Sequence, residues 1–264
     1  MKIGMPTLVK LKKIEDQIKL CKELQLDFIE LNMNLPQYNT ENLMKIDFSS
    51  LDKKGIGFTL HLPEEMDLGS FEPYVRRSYV NLIKKVIEII PQNVKKLNMH
   101  IHKVVYFTLP EEKVYLYEKY KEQFQGNLYD SFQKILGPAR DKGIDICIEN
   151  TGDFSKLYIQ HSLVNVLKEE NVFLTWDVGH DASSGFLDTS FIKKQYNKLK
   201  HIHLHDAIGK KNHLELFSGN LDINSYIKIA QEKEIDIVIE IKTEKALRNS
   251  VKKIKTILPS CSWQ

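Results

Sequence analysis

Apolar residues recur with two different periods along this chain, and the two periods take turns. Runs in which every second residue is apolar read as strands; longer runs with apolar residues three and four apart read as helices. The strand-like runs are residues 2–5, 27–34, 57–62, 96–102, 145–150, 172–178, 201–205 and 235–241. Helical spacing fills the intervals. Leu11, Ile14, Ile18, Cys21 and Leu24 follow the first run; residues 43–54 stop at Gly55; residues 73–90 are closed by Pro91; and residues 245–257 end the series. Between the fourth and fifth runs the pattern predicts a long helical region over 110–142. Leu109-Pro110-Glu111-Glu112 reads as its start, since proline and acids suit a first turn.

Eight such units predict an α/β fold, a single (β/α)8 TIM barrel, with residues 1–264 as one domain. Phase within the strands adds more. Leu60, Leu97, Met99, Ile146, Ile148, Leu174, Trp176, Ile202, Leu204, Ile237 and Ile239 hold one phase and should pack outward under helices. The other phase carries Glu30, Asn32, His61, His100, His102, Glu149, Asp177, His203, His205, Glu240 and Lys242, crowded toward the C-terminal strand ends. Barrel enzymes build their sites at that face. Cys147 shares the Glu149 phase one layer deeper and reads as core.

Composition changes this picture little. The 264 residues are 42% hydrophobic and 28% charged, with 38 basic against 35 acidic residues, a net charge of +3. That balance leaves no nucleic-acid or membrane footprint. No apolar run reaches the roughly 18 residues of a membrane span, and no leader pattern opens the chain. The three cysteines, Cys21, Cys147 and Cys261, lack ligand-like spacing. A cytoplasmic protein is expected. No strand leads into a Gly-x-Gly-x-x-Gly turn and no Gly-x-x-x-x-Gly-Lys loop is present, so phosphate cradles of the mononucleotide type are not supported.

Four carboxylates and several imidazoles facing one interior need compensation, because a buried unpaired charge costs several kcal/mol. One divalent ion supplies it, and oxygen and imidazole donors suit Mn, Zn, Co or Mg without choosing among them.

The local signatures His61-Leu62-Pro63, Ile148-Glu149-Asn150, Trp176-Asp177-Val178-Gly179-His180, His203-Leu204-His205-Asp206 and Ile239-Glu240-Ile241 together resemble the xylose isomerase-like barrel superfamily. That superfamily includes sugar phosphate isomerases and epimerases and also endonuclease IV. The resemblance implies that Glu149, Asp177, His203 and Glu240 are the protein ligands of one metal. His61, His100 and His180 would line the substrate pocket, and His213 and Lys242 would also bind substrate, with Lys210 beside them. For an isomerase or epimerase of a sugar or sugar phosphate, it implies catalytic roles for Glu149 and Glu240. They would exchange a proton across a metal-stabilised enediolate as base and acid.

The endonuclease branch, with three zinc ions, shares His61, His100, Glu149, Asp177, His180, His203, His213 and Glu240 with this chain. It departs at Lys211-Asn212-His213, where Lys211 replaces an aspartate ligand and would oppose a third metal by charge. The βα loops also lack the arginine and aromatic clusters that grip a bent duplex. One metal and a small-molecule partner are therefore favoured over a zinc phosphoesterase acting on abasic DNA or a non-catalytic sugar-binding barrel. Blander roles are expected elsewhere. Glu30 and Asn32 support neighbours, His161 and His201 are structural, His102 and His205 face solvent as readily as the site, and Trp176 is core. The run from Tyr115 to Tyr120 packs on the barrel, forms a lid, or serves a homo-oligomer.

Overall fold

In a computed structural model, residues 1–52, 55–101 and 104–258 are described. Eight parallel strands close a barrel: β1 (Ile3–Pro6), β2 (Phe28–Asn32), β3 (Gly57–His61), β4 (Lys96–Met99), β5 (Asp145–Glu149), β6 (Val172–Asp177), β7 (Leu199–Leu204) and β8 (Asp236–Ile239). Ile3 pairs with Ile237, which joins β1 to β8 and leaves no edge strand. Six of the eight strands are shorter than their alternating patterns, whereas β1 is as long as its pattern and β7 starts two residues earlier. His100, His205, Glu240 and Lys242 lie past the ends of β4, β7 and β8, although the Glu240 N–H still donates to the Leu204 carbonyl at 3.0 Å.

The expected outward residues are buried: Leu60, Leu97, Met99, Ile146, Ile148, Leu174, Ile202, Leu204, Ile237 and Ile239 have essentially no exposure. Helices cover them with apolar stripes. The helix Lys121–Asp141 buries Phe124, Leu128, Phe132, Ile135, Leu136 and Ala139, a three- and four-residue spacing that keeps one face on the sheet. The helix Pro73–Ile89 begins with proline in its first turn and is capped by Glu72, whose side chain accepts from the Tyr74 N–H at 3.0 Å. Trp176 is core, its ring edge-on to Tyr226 and its indole N–H donating to Asp181 at 3.0 Å. Cys147 and Cys21 are both buried, and desolvation pushes each thiol up to about 12.

Inside, the side chains stack in layers. Phe28 and His201 form a lower one, with ring centroids 6.2 Å apart. Gly4 makes room for Phe28, since a Cβ there would lie 2.5 Å from its ring. Beneath them Lys96 and Asp236 pair at 2.5 Å across the barrel floor.

One expected element is different. The helix foreseen from residue 110 starts later, as Leu116–Lys119 and then Lys121–Asp141, and Lys113–Tyr115 instead pairs antiparallel with Tyr106–Thr108. Pro110, Glu111 and Glu112 form the turn of this hairpin, where the Leu109 N–H donates to the Glu112 carbonyl at 2.8 Å. Proline followed by acids suits a turn as well as a helix start, and the flanking valines and aromatics favour strands. The tyrosine run splits accordingly. Tyr117 is buried with its hydroxyl donating to Asp67, while Tyr115 and Tyr120 are exposed. The helical stretch expected at 43–54 is two short helices, Thr40–Leu43 and Phe48–Asp52. His102, Cys261 and the C-terminal tail lie outside the described residues. Among the described residues no helix is long and apolar enough to cross a membrane.

Candidate metal centre and active site

Register brings the polar strand ends together. Asp177 pairs with His203 between β6 and β7, and Glu149 pairs with Thr175 between β5 and β6. Glu149, Asp177, His203 and Glu240 are all buried, and each offers a donor atom within 4.8 Å of the others.

His203 is the hub. Its Nδ1 lies 3.4 Å from both Glu149 Oε2 and Glu240 Oε2, and 4.0 Å from Asp177 Oδ2. Its Nε2 lies 2.9 Å from Glu30 Oε1, on the opposite side of the ring. Burial alone would depress the His203 pKa, but Glu149, Glu30 and Glu240 surround it and hold it well above the ordinary imidazole value. Burial would likewise raise both glutamates. The charge of His203, with His100 at Glu149 and Lys242 at Glu240, instead holds them well below the usual carboxylate range. Lys242, exposed at the rim, donates to Glu240 Oε1.

These residues fit a divalent ion. His203 Nδ1 and Glu240 Oε2 are buried without a hydrogen-bond partner although they face one another. An orphaned nitrogen and an orphaned oxygen, with two more carboxylates beside them, make a donor set for a hard or borderline cation. Glu30 lies below as a close charge partner of His203 Nε2, which like Nδ1 makes no well-aligned hydrogen bond. A carboxylate that holds the far side of a ligand histidine fixes the ring with its other nitrogen turned to the metal. Glu30 is itself bound by the Thr59 hydroxyl at 3.1 Å and lies 3.3 Å from His201 Nε2. The supporting role expected of Glu30 is therefore specific. Glu30→Ala should cost about 1–3 kcal/mol in chemical denaturation, because it removes the buried partner 2.9 Å from His203 Nε2 while Glu149 and Glu240 still face the other side of the ring. An unchanged unfolding midpoint would show that His203 does not depend on it.

A ring of further side chains surrounds the four. His61 donates from Nδ1 to the Leu62 carbonyl at 2.7 Å and reaches Glu149 Oε2 with Nε2 at 3.1 Å. Burial lowers its pKa, but the Glu149 hydrogen bond and charge win and raise it to about 9. His100 and His180 lie 3.6 and 3.8 Å from Glu149 Oε1. Both also line an open cavity of about 430 Å³ with Glu64, Thr151, Asp153 and Ser183. His213, whose pKa burial pushes down to about 4, has Nδ1 3.2 Å from the Glu240 carbonyl oxygen. Three smaller donor groups adjoin the main one: His61, His100 and Glu149; His180, His205 and His213; and Glu30, His201 and His203.

All five residues expected to bind substrate thus border the cluster, Lys242 through Glu240. One open expectation is settled. His205 does not face solvent: it is fully buried, with Nε2 2.9 Å from Asp177 Oδ1. Lys211 is exposed on the hairpin formed by Asp206–Ile208 and Lys211–Leu214, and it is His205 that shares a donor group with His180 and His213. Asn98, Thr175 and Asn150 were not foreseen as site residues. Asn98 donates to Glu149 Oε2 and accepts from the Thr175 hydroxyl at 2.6 Å. Asn150 brackets Asp177, accepting from its N–H at 2.7 Å and donating to its carbonyl at 3.1 Å. The inward phase of Asn98 and Thr175 was the available signal, and only the register shows what they touch.

Comparison with known proteins follows the same lines. A family model described as a xylose isomerase-like TIM barrel matches residues 18–258. The uncharacterized protein MJ1311 of Methanocaldococcus jannaschii is 26% identical over 96% of this chain and 86% of its own length. Among solved structures, a D-tagatose 3-epimerase-like protein superposes with a TM-score of 0.77 and 25% identity, covering 98% of this chain and 97% of that one. The IolI protein, solved with a bound zinc atom, superposes with a TM-score of 0.68 at 15% identity, covering 98% of both chains.

Proposed function

Because the chain belongs to the xylose isomerase-like TIM barrel family, we propose that it is a divalent-metal-dependent isomerase or epimerase acting on a sugar. The observation that carries this reading is the orphaned pair of His203 Nδ1 and Glu240 Oε2, set among Glu149 and Asp177 at the barrel mouth. Glu149, Asp177, His203 and Glu240 would hold the ion, and the ion would polarise a substrate carbonyl and offset the charge that develops on its oxygen.

The protein's own groups account for the rest. Glu149 and Glu240 approach from β5 and from the end of β8, so each can reach one face of a substrate lodged between them. One removes the proton on the carbon beside the carbonyl and the other returns a proton to the opposite face for epimerisation; for isomerisation the proton goes to the former carbonyl carbon while the hydroxyl proton passes to the former carbonyl oxygen. Each keeps an oxygen outside the inner cluster: Glu149 Oε1 toward His100 and His180, Glu240 Oε1 on Lys242. Lys242 is placed to steady a carboxylate whose protonation changes in the cycle. His61 and Asn98 hold Glu149 Oε2, and with it the carboxyl plane. Hydroxyls and imidazoles in the cavity suit a polyhydroxylated substrate, and Glu64 in its wall disfavours a phosphate beside it, whereas Asp153 is paired with Lys156.

The test is a panel of free and phosphorylated ketoses and aldoses incubated with Mn²⁺-, Co²⁺- or Zn²⁺-loaded enzyme in deuterated buffer and followed by NMR. The expected result is interconversion of at least one pair, with deuterium entering at the carbon beside the carbonyl, and its loss after chelation. Full turnover after thorough chelation would end this reading. A hydrolytic zinc centre has one observation in its favour, the donor groups that flank the main one. It requires more than one ion per chain and nicking of a duplex that carries an abasic site.

A further inference from the structure

The group formed by His180, His205 and His213 has the composition of a second metal site, yet the hydrogen bonds of His205 argue for another use. We infer that His205 is a positioning residue, which fixes the carboxylate of Asp177 for the main ion and binds no ion itself. The inference rests on the proposed metal site and assigns a role within it.

The backbone N–H of His213 donates to His205 Nδ1 at 2.8 Å. A main-chain amide can only donate, so Nδ1 carries a lone pair and the ring proton sits on Nε2. Nε2 lies 2.9 Å from Asp177 Oδ1 and 3.2 Å from Oδ2, and so it donates to that carboxylate. Burial disfavours a second ring proton and the charge of Asp177 favours one, with a net upward pull. A proton on Nδ1 would nonetheless have to displace the His213 amide. Both ring nitrogens are engaged, and no lone pair is left for a cation.

Two other features are built around this ring. Gly179, in the first turn after Asp177, is needed for space: a Cβ there would lie 2.0 Å from His205 Cε1 and Nδ1. His213 holds a left-handed φ of 51° that presents its N–H to the ring, a conformation uncommon outside glycine. Asp206 anchors the loop that follows this hairpin, accepting from the N–H groups of Gly219 at 2.8 Å and Leu221 at 3.1 Å. Asp177 is thus held by two donors, with His180 Nδ1 a further contact 3.2 Å from Oδ2. The His180 N–H donates to Oδ1 at 2.6 Å and His205 donates from the β7 side. Side chains that orient a metal ligand in this way commonly contribute about 10–100-fold in affinity.

The test is Mn²⁺ binding to the full chain, measured as dissociation constant and stoichiometry by electron paramagnetic resonance of the free ion. His205→Asn can still accept from the His213 N–H but is too short to donate to Asp177, whereas His205→Gln restores a donor near the Nε2 position. One ion is expected in all three proteins, bound about 10–100-fold more weakly by His205→Asn and nearly as tightly as wild type by His205→Gln. Gly179→Ala should reproduce the loss by displacing the ring, with His205 itself unsubstituted. Nitrogen NMR of the imidazoles in metal-free and Zn²⁺-loaded wild type reads the tautomer without any substitution, and a ring protonated on Nε2 is expected in both states. Wild-type affinity in His205→Asn, one ion fewer in both variants, or a His205 nitrogen shifted by direct coordination would each overturn the role. A wild type that takes up no ion at all would overturn the metal reading beneath it.

Discussion

Glu149→Gln should lower turnover by at least about 10³-fold while leaving the barrel folded, and Glu240→Gln should do the same. General acid–base catalysis alone contributes about 10²–10⁴-fold, and each of these residues also supplies a proposed metal ligand, so the two losses combine in one substitution. The amide keeps the volume of the side chain and leaves the outward core untouched. It also keeps a contact with its neighbours: Asn98 and His61 can still reach the Oε2 position of residue 149, and Lys242 that of Oε1 in residue 240. Far-UV circular dichroism should therefore match wild type. Measured on the best pair from the sugar panel with saturating metal, the loss should fall on kcat more than on KM, since the proton transfers belong to the transition state. Turnover within about tenfold of wild type in either variant would remove that residue from the chemistry.

Removal of the ion is the second large effect. Without a cation, the three proposed carboxylate ligands are balanced chiefly by protonated histidines, with His203 held well above its ordinary pKa and His61 raised to about 9. An ion present at about 100 times its dissociation constant should add roughly 2.7 kcal/mol of stability. For a chain of this size that is a rise of roughly 5–10 °C in Tm. The pH dependence has a definite sign. His203 must give up the Nδ1 proton before that nitrogen can coordinate, so ion binding releases a proton, and affinity falls as pH drops through the raised His203 pKa. Differential scanning fluorimetry with and without chelator, repeated at several pH values, should show a metal-dependent gap that widens as pH rises. A gap that is absent, or that widens toward acid, contradicts this assignment of His203.

Much of the scaffold could be read from the alternation of residues. The outward phase of Ile146 and Ile148, or of Ile202 and Leu204, is set by the two-residue period of a strand, which no later contact changes. The same period put Glu149, Asp177 and His203 on one interior. The strand ends were less legible, because the alternation runs on through His100, His205 and Glu240 past the ends of the strands. The hairpin at 106–115 escaped because one short motif, proline followed by acids, serves two structures and only the partner strand decides. The sequence leaves His205 undecided for a related reason. Its burial depends on Gly179 and on the backbone of His213, both remote from it in sequence or made adjacent by a turn, and no pattern within β7 records them. Lys211 departs from the endonuclease-like ligand pattern in sequence, and in the fold it is exposed on the hairpin. His205 is the buried residue that joins His180 and His213 there.

The central claim is that one ion sits among Glu149, Asp177, His203 and Glu240. Anomalous diffraction from crystals of the Zn²⁺- or Mn²⁺-loaded protein, with elemental analysis of the same preparation, tests it most directly. One ion per chain and a single peak bounded by those four side chains is the predicted result. No peak at that position, or additional full-occupancy peaks against His61 and His100 or against His180 and His213, would contradict it.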